Sequence, residues 1–288
     1  MSIDLHIHSN CSDGIFTLQE IFREVQKRGI GFFSITDHDN LSSQLEAWHL
    51  AKTKNLDFLT GIELNVTFSH PKYREGKSIS LDFLGYQFDP SNEALNRKII
   101  LVSSYRAERA TKILKNLNSE FAKEGVEVQL SEMDFREIEG SADGAIGRPH
   151  IAEYLVRKRL VKSRQEAFDK YLVKCDVPKY PIYLEEASKL IRDAGGKLVL
   201  AHPNDPNGTS LVSLTKTLSE QSNIIQESML DYIDGVECWH SRNASQTTNY
   251  YVEFAKSHGL ILTGGSDCHQ RPVIMGTVRV PGFVTDQF

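Results

Sequence analysis

Asp4-Leu5-His6-Ile7-His8-Ser9-Asn10-Cys11-Ser12-Asp13 is the stretch on which the rest of the chain turns. His6 and His8 flank one apolar residue at the end of a short apolar run, so on a strand of period two both imidazoles leave the same face. Ser12, Asp13 and Gly14 then supply turn chemistry able to fold a carboxylate back toward the strand end. Taken alone, a His-x-His pair is equally a half-buried strand pair satisfied by hydrogen bonds. The reading depends on where the other His, Asp and Glu residues fall.

Outward from that stretch, the sequence alternates strands and helices. Thr17-Leu18-Gln19-Glu20 has capping-box spacing, Ile21, Phe22 and Val25 mark an apolar face, and Gly29 stands where a helix would stop. Gly31 to Thr36 reads as a second strand ending in Asp37-His38-Asp39, followed by a helix from about Ser42 to Lys54. Phe58 to Leu64 is a third strand carrying Glu63, and Ile79 to Phe88 a fourth with Asp82 in its middle. From Ser91 the rhythm breaks into helical patterns, over Ser91–Gly125, Ser131–Ile138, Ile146–Leu160 and Ser163–Leu172. Residues 91–183 are therefore expected to form a helical insertion, with 1–90 and 184–288 forming the main body. The rhythm resumes with a helix over Glu185–Ala194 and the strand Lys197–Ala201 before His202-Pro203. Two further strands follow, Ile233–Cys238 bearing Glu237 and Leu260–Gly264 opening into Ser266-Asp267-Cys268-His269, joined by a helix over Asn243–His258. Met275–Val280 is expected to add a short final strand.

Composition narrows the class. The chain has 288 residues, 40% hydrophobic and 25% charged, as in an ordinary globular enzyme. Its net charge of −5 and pI near 6.1 give no global attraction to nucleic acid or anionic membrane, so an anionic substrate needs local cations. No apolar run approaches a membrane span, and no basic-then-apolar signal opens the chain, which points to the cytoplasm. Cys11, Cys175, Cys238 and Cys268 form no CxxC pair, in keeping with a reducing compartment.

His6, His8, Asp37-His38, Glu63, His202, Glu237, Asp267 and His269 thus lie at strand ends. In a barrel of parallel strands the carboxyl ends share one rim, where such side chains would meet and form a polynuclear metal centre. His49 and His258, on or beside helices, read as structural, and His70 is left without a role.

These motifs resemble the polymerase and histidinol phosphatase (PHP) superfamily. Asp4-Leu5-His6-Ile7-His8-Ser9 with Asp13, Thr36-Asp37-His38, Gly61-Ile62-Glu63, Ala201-His202-Pro203 and Gly264-Gly265-Ser266-Asp267-Cys268-His269 match it in order and spacing over nearly the whole chain. The resemblance is nearest to the small phosphoesterases with a helical insertion, which include nucleotide phosphatases. It implies an α/β fold, a distorted TIM-like (β/α)7 barrel, holding two to three divalent ions (Mn, Fe or Zn), with the insertion as a substrate-binding cap. His6, His8, Glu63 and Asp267 would hold one ion, Asp13, His38 and His269 another, and His202 with bridging Glu63 a third. Asp82 takes the place of a His usual at that third site, and a carboxylate there favours harder ions. Asn204-Asp205 follows Ala-His-Pro where the family tends to carry a basic residue. Gly147-Arg148-Pro149-His150 resembles the motif whose Arg and His face the substrate phosphate, and His240 is a further substrate-binding candidate.

The implied reaction is hydrolysis of a phosphomonoester on a small nucleotide-like molecule, such as AMP or a nucleoside 3′,5′-bisphosphate, by metal-activated water. Asp13, His38, Glu63 and Asp267 would carry the chemistry, and Asp37 would orient the ligands from behind. The rivals are 5′-3′ exonucleolytic cleavage of short oligonucleotides, histidinol phosphate hydrolysis, and a non-catalytic metal-binding module. The acidic surface argues against long nucleic acid.

Overall fold

The computed structural model describes residues 2–142 and 146–288. It is an α/β structure whose seven strands form one sheet in sequence order: β1 (Ser2–Asp4), β2 (Ile30–Ile35), β3 (Asp57–Phe68), β4 (Ile79–Tyr86), β5 (Lys197–Leu200), β6 (Gly235–His240) and β7 (Ile261–Gly265). Helices α1 (Leu18–Arg28) and α2 (Gln44–Lys54) follow the first two strands. Helix α1 begins as its sequence dictates: the Thr17 hydroxyl accepts the Glu20 N–H while the Glu20 carboxylate accepts the Thr17 N–H. It ends at Gly29 with φ of 66°, a left-handed conformation that costs glycine little. Its buried face, Ile21, Phe22 and Val25, packs with Phe33 of β2, the Phe22 and Phe33 rings meeting edge to face.

The sheet is not wholly parallel. β4 runs antiparallel to both β3 and β5, while the other neighbouring pairs are parallel. β3 is also longer than the sequence indicates, continuing past Glu63 to Phe68 because β4 pairs with it through Phe68–Ile79. The expectation of converging carboxyl ends is corrected at one strand: Asp82 reaches the site from the early half of β4, opposite Asn65. Among the described residues, Met275–Val280 forms no strand; turns lead instead to a 3₁₀ segment, Gly282–Gln287. A helix at Leu218–Ser228 was not anticipated.

The two ends of the sheet approach each other. Leu5 N–H donates to Gly264 O (3.1 Å), Asp267 N–H to His6 O (2.8 Å) and His8 N–H to Cys268 O (3.2 Å). Between β4 and β5 lie α3 (Glu93–Lys123), α4 (Glu132–Gly140), α5 (Arg148–Arg157) and α6 (Arg164–Ala167), then α7 (Leu184–Asp193). The early part of α3, with Leu95, Ile99 and Val102, belongs to the core beside the sheet. Its later part, with Ile113, Leu117 and Phe121, joins a separate apolar cluster with Ile138, Ile151, Leu155 and Leu172. After β5 come α8 (Leu218–Ser228) and α9 (Ser245–Ser257).

The seam between β1 and β7 allows no side chain at Gly265, where a Cβ would stand 2.4 Å from both the N and the Cβ of His6. Gly265→Ala is expected to destabilise the chain by roughly 3 kcal/mol, as overpacking against backbone does, and to displace His6. Urea unfolding measures this; a loss below about 1 kcal/mol would mean that the seam yields freely.

Candidate metal centre

β1 ends at Asp4, so His6 and His8 lie just past the strand expected to carry them, on either side of Ile7, which bridges to Cys268; the two imidazoles still meet, and the seam sets Asp267 beside them. His6 Nε2 lies 3.1 Å from His8 Nε2, 3.3 Å from Glu63 Oε2 and 3.4 Å from Asp267 Oδ1. His8 Nε2 is 3.1 Å from the same Glu63 oxygen and 3.3 Å from the same Asp267 oxygen. Donors placed tetrahedrally about an ion at roughly 2.0–2.1 Å are about 3.3–3.4 Å apart. The observed spacings fit such an ion, and hydrogen bonding alone does not account for them. Two imidazole nitrogens face each other, and among the described residues the buried His8 Nδ1, Asp13 Oδ1, Glu63 Oε2 and His202 Nδ1 find no hydrogen-bond partner.

Further groups flank this one. His8, Asp13, His38 and His269 gather on one side, with His269 Nε2 3.2 Å from Asp13 Oδ1 and its ring stacked on His8. His6, Glu63 and His202 form another group, His202 Nε2 standing 2.9 Å from Glu63 Oε1. His38, Glu63 and Asp82 form the last, where Asp82 Oδ1 also accepts the Asn65 amide. The candidate ligands inferred from sequence therefore come together, but the groups overlap. His8 faces two of them, one through each ring nitrogen.

Burial and charge oppose one another here. Burial disfavours the imidazolium of His6, but Glu237, Glu63 and Asp267 outweigh it and hold the group well above its ordinary range. Burial likewise opposes His8 and His202, which their carboxylate partners lift to about 10 and about 9. Asp13, despite burial, is held well below the usual carboxylate range by His269 and His38, as is Glu63 by His38 and His6. Asp82 is raised, by burial and then by Glu63. The backbone is unusual at the same place: Asp39, His202 and Asp267 have φ of 44°, 23° and 55°. Such values are uncommon for residues other than glycine and gather at functional sites.

Glu237, Asp37 and His240, all singled out in the sequence, border these groups. Glu237 Oε1 accepts from His6 Nδ1 at 3.0 Å and Oε2 accepts the His202 N–H at 2.8 Å, so one buried carboxylate orients two candidate ligands. The sequence pattern set it at a strand end, but β6 continues to His240 and Glu237 lies inside it. Asp37 does not touch an imidazole. Its carboxylate accepts the Ser9 N–H and the hydroxyls of Ser9, Ser12 and Ser43, fixing the loop that delivers Asp13. His240 Nδ1 accepts the Arg242 N–H, and its Nε2 faces Asp267 Oδ2 at 3.4 Å.

Beside the carboxylates opens a cleft of about 180 Å³ bordered by Asp13, His38 and Asp82 on one side and by Arg106, Arg109, Arg148 and Lys179 on the other. Arg106 pairs with Asp39, and burial lowers Lys179 to about 8. Arg148 is one wall of this cleft, whereas His150 lines a neighbouring one and turns its Nδ1 to the Gly147 N–H. His49, His70 and His258 lie elsewhere: His49 against Trp48, His70 Nε2 3.4 Å from Glu227, and His258 at the end of α9. No helix among the described residues is long and apolar enough to cross a membrane.

Comparison with known proteins agrees with this geometry. The 3′,5′-nucleoside bisphosphate phosphatase of Chromobacterium violaceum is 28% identical over 284 residues, covering 93% of this chain and 87% of that protein. The 5′-3′ exoribonuclease Rnm of Escherichia coli is 26% identical over 279 residues, covering 93% and 85%. A solved structure from Bifidobacterium adolescentis, that of a candidate metal-dependent phosphoesterase, superposes with a TM-score of 0.80 at 26% identity, covering 99% of this chain and 94% of that one. Both named relatives are hydrolases of phosphoric esters. The PHP domain model itself matches residues 4–262, from Asp4 beside the paired histidines to the last strand, and the chain belongs to that family.

Proposed function

We propose that this PHP-family phosphoesterase hydrolyses a phosphomonoester on a small nucleotide-like molecule, with the sheet closed as a distorted (β/α)7 barrel and residues 91–183 acting as a cap over the site. The observation that carries the reading is the convergence of His6, His8, Glu63 and Asp267 at ligand spacing, beside a cleft walled by cations. His6, His8, Glu63 and Asp267 would hold one divalent ion, Mn, Fe or Zn. Asp13, His38 and His269, with His8 beside them, would hold a second. Glu63 and His202, with Asp82 nearby, would hold a third. Bound there, the ions supply positive charge for the phosphoryl oxygens and make water acidic enough to attack near neutral pH.

The protein's own groups do the rest. Glu237 keeps the His6 ring turned so that Nε2 faces the carboxylates. Asp37 fixes the Ser9–Ser12 loop and hence Asp13. Arg148, at the start of α5, grips the phosphate through charge-assisted hydrogen bonds, and His240 would border the substrate beside Asp267. A second reading, 5′-3′ cleavage of short oligonucleotides, is favoured by the likeness to the Escherichia coli exoribonuclease. Comparing turnover of a nucleoside 3′,5′-bisphosphate with that of short oligonucleotides separates the two.

Two predictions follow from the chemistry of the site. In the Mn²⁺-loaded chain, Asp13→Ala or His38→Ala should lower kcat about 10³-fold with the fold retained, while Arg148→Ala should raise KM about tenfold with kcat nearly unchanged. Phosphate-release kinetics measure both, and a normal kcat in the Asp13 and His38 variants would remove them from the centre. Metal ligation also requires neutral imidazoles, yet His6, His8 and His202 are all raised by their carboxylate partners, the last two to about 10 and about 9. Adding Mn²⁺ at pH 8 in weak buffer should therefore release roughly two to three protons per chain. At about a hundredfold excess over Kd it should also stabilise the fold by about 2.7 kcal/mol. Titration and thermal unfolding check this, and neither changing would argue against metal at these residues.

A further inference from the structure

Arg148 is held by two neighbours. Among the described residues its guanidinium makes one hydrogen bond, Nη1 to Asp176 Oδ2 at 2.6 Å, and lies 5.6 Å over the Phe168 ring. The other oxygen of Asp176 is differently engaged: Oδ1 pairs with Arg109 Nη2 and accepts the Val177 N–H at 2.8 Å. Arg109 is itself fixed, its side chain 5% exposed and its Nε donating to the Val177 carbonyl. One carboxylate oxygen is thus anchored on the buried side by a helix α3 arginine and by its own backbone, and the other is turned to the arginine that faces the cleft. Arg109, Arg148 and Phe168 border the same cleft as Asp13 and His38.

We propose that Asp176 is a positioning residue which aims Arg148 at the phosphate. A guanidinium binds phosphate well only when its planar fork is already oriented, because ordering a long side chain during binding costs affinity. Asp176 and Phe168 meet that requirement in advance. Among the described residues their grip uses Nη1 alone, leaving the remaining donors of the fork for an anion. The alternative effect of Asp176, partial neutralisation of Arg148, has the opposite sign: removing the carboxylate would then tighten anion binding.

This inference rests on the role given to Arg148 above, and a double-mutant cycle tests the two separately. In the Mn²⁺-loaded full chain, the Kd for inorganic phosphate is measured by calorimetry, and KM and kcat with a nucleoside 3′,5′-bisphosphate. Asp176→Asn should weaken phosphate binding and raise KM by about tenfold with kcat within about a factor of two, and Asp176→Glu should recover part of the loss. On an Arg148→Ala background, Asp176→Asn should add less than about twofold. Losses that add fully on that background, a fall in kcat matching the rise in KM, or tighter phosphate binding would each overturn the proposal. If phosphate binding follows the expected cycle while the wild type turns over no phosphoester, the positioning role stands and the hydrolytic reading fails.

Discussion

The seam where the first strand meets the last governs the molecule. There the backbone of Gly265 lies against that of His6 closely enough to exclude a Cβ, and the buried carboxylate of Asp4 accepts the backbone N–H groups of Ser266 (2.8 Å), Gly276 (2.7 Å) and His6 (3.3 Å). Asp4 stays above its usual carboxylate range because burial outweighs those donors. A buried acid satisfied mainly by main-chain N–H groups registers two strands against each other rather than binding a ligand. With that register set, the residues after β1 and after β7 face one another, and His6, His8, Asp267 and His269 share one space although they come from opposite ends of the chain.

Charge is divided between the parts of the fold. The sheet and its loops contribute the acids and imidazoles, while the cations of the cleft, Arg106, Arg109, Arg148 and Lys179, all come from residues 91–183. Neither set is comfortable alone. Buried carboxylates without partners are strongly destabilising, and the cluster meets this in the metal-free chain by drawing protons onto His6, His8 and His202. Helix α3 carries the opposing charge toward the acids: Arg106 pairs with Asp39, and Asp39 in turn accepts the Asn65 N–H next to Asp82. The same helix belongs to two apolar clusters, so the placement of its arginines is fixed by packing at both ends.

Much of this was legible in the sequence because it depends on local spacing. The His-x-His spacing, the Thr17 capping box and Gly29 as a helix stop are short-range patterns with direct geometric consequences, whereas the strand limits were less legible: His6 and His8 lie past β1, and Glu63 and Glu237 inside β3 and β6. What the sequence could not convey depends on partners far apart in the chain. Nothing in Ile79–Tyr86 distinguishes a parallel strand from an antiparallel one, because both faces of β4 are buried and the apolar run reads the same either way. Glu237 was visible as a candidate, yet its bonds to His6 and His202 require three segments to be placed first. Arg109 and Asp176 looked like ordinary charged residues on a helix and in a loop, and only their common neighbour, Arg148, gives them meaning. The strand expected at Met275–Val280 failed for a related reason: the Gly276 N–H is taken by Asp4, and Thr277 turns back to Ile274.

The strained backbone at the site follows one rule. Asp39, His202 and Asp267 each adopt positive φ, at a cost on the order of 1–3 kcal/mol apiece, and His202 does so in front of a proline. Each also gives its own N–H to another residue of the site: Asp39 to Glu63 O at 2.9 Å, His202 to Glu237 Oε2 at 2.8 Å, and Asp267 to His6 O at 2.8 Å. A relaxed backbone would turn these N–H groups away and leave buried acceptors unpaired, a penalty of similar size. Strain and hydrogen bond therefore hold each other in place. The main-chain contacts among these segments therefore set where Asp39, His202 and Asp267 stand, and with them the carboxylates and imidazoles that lie at ligand spacing.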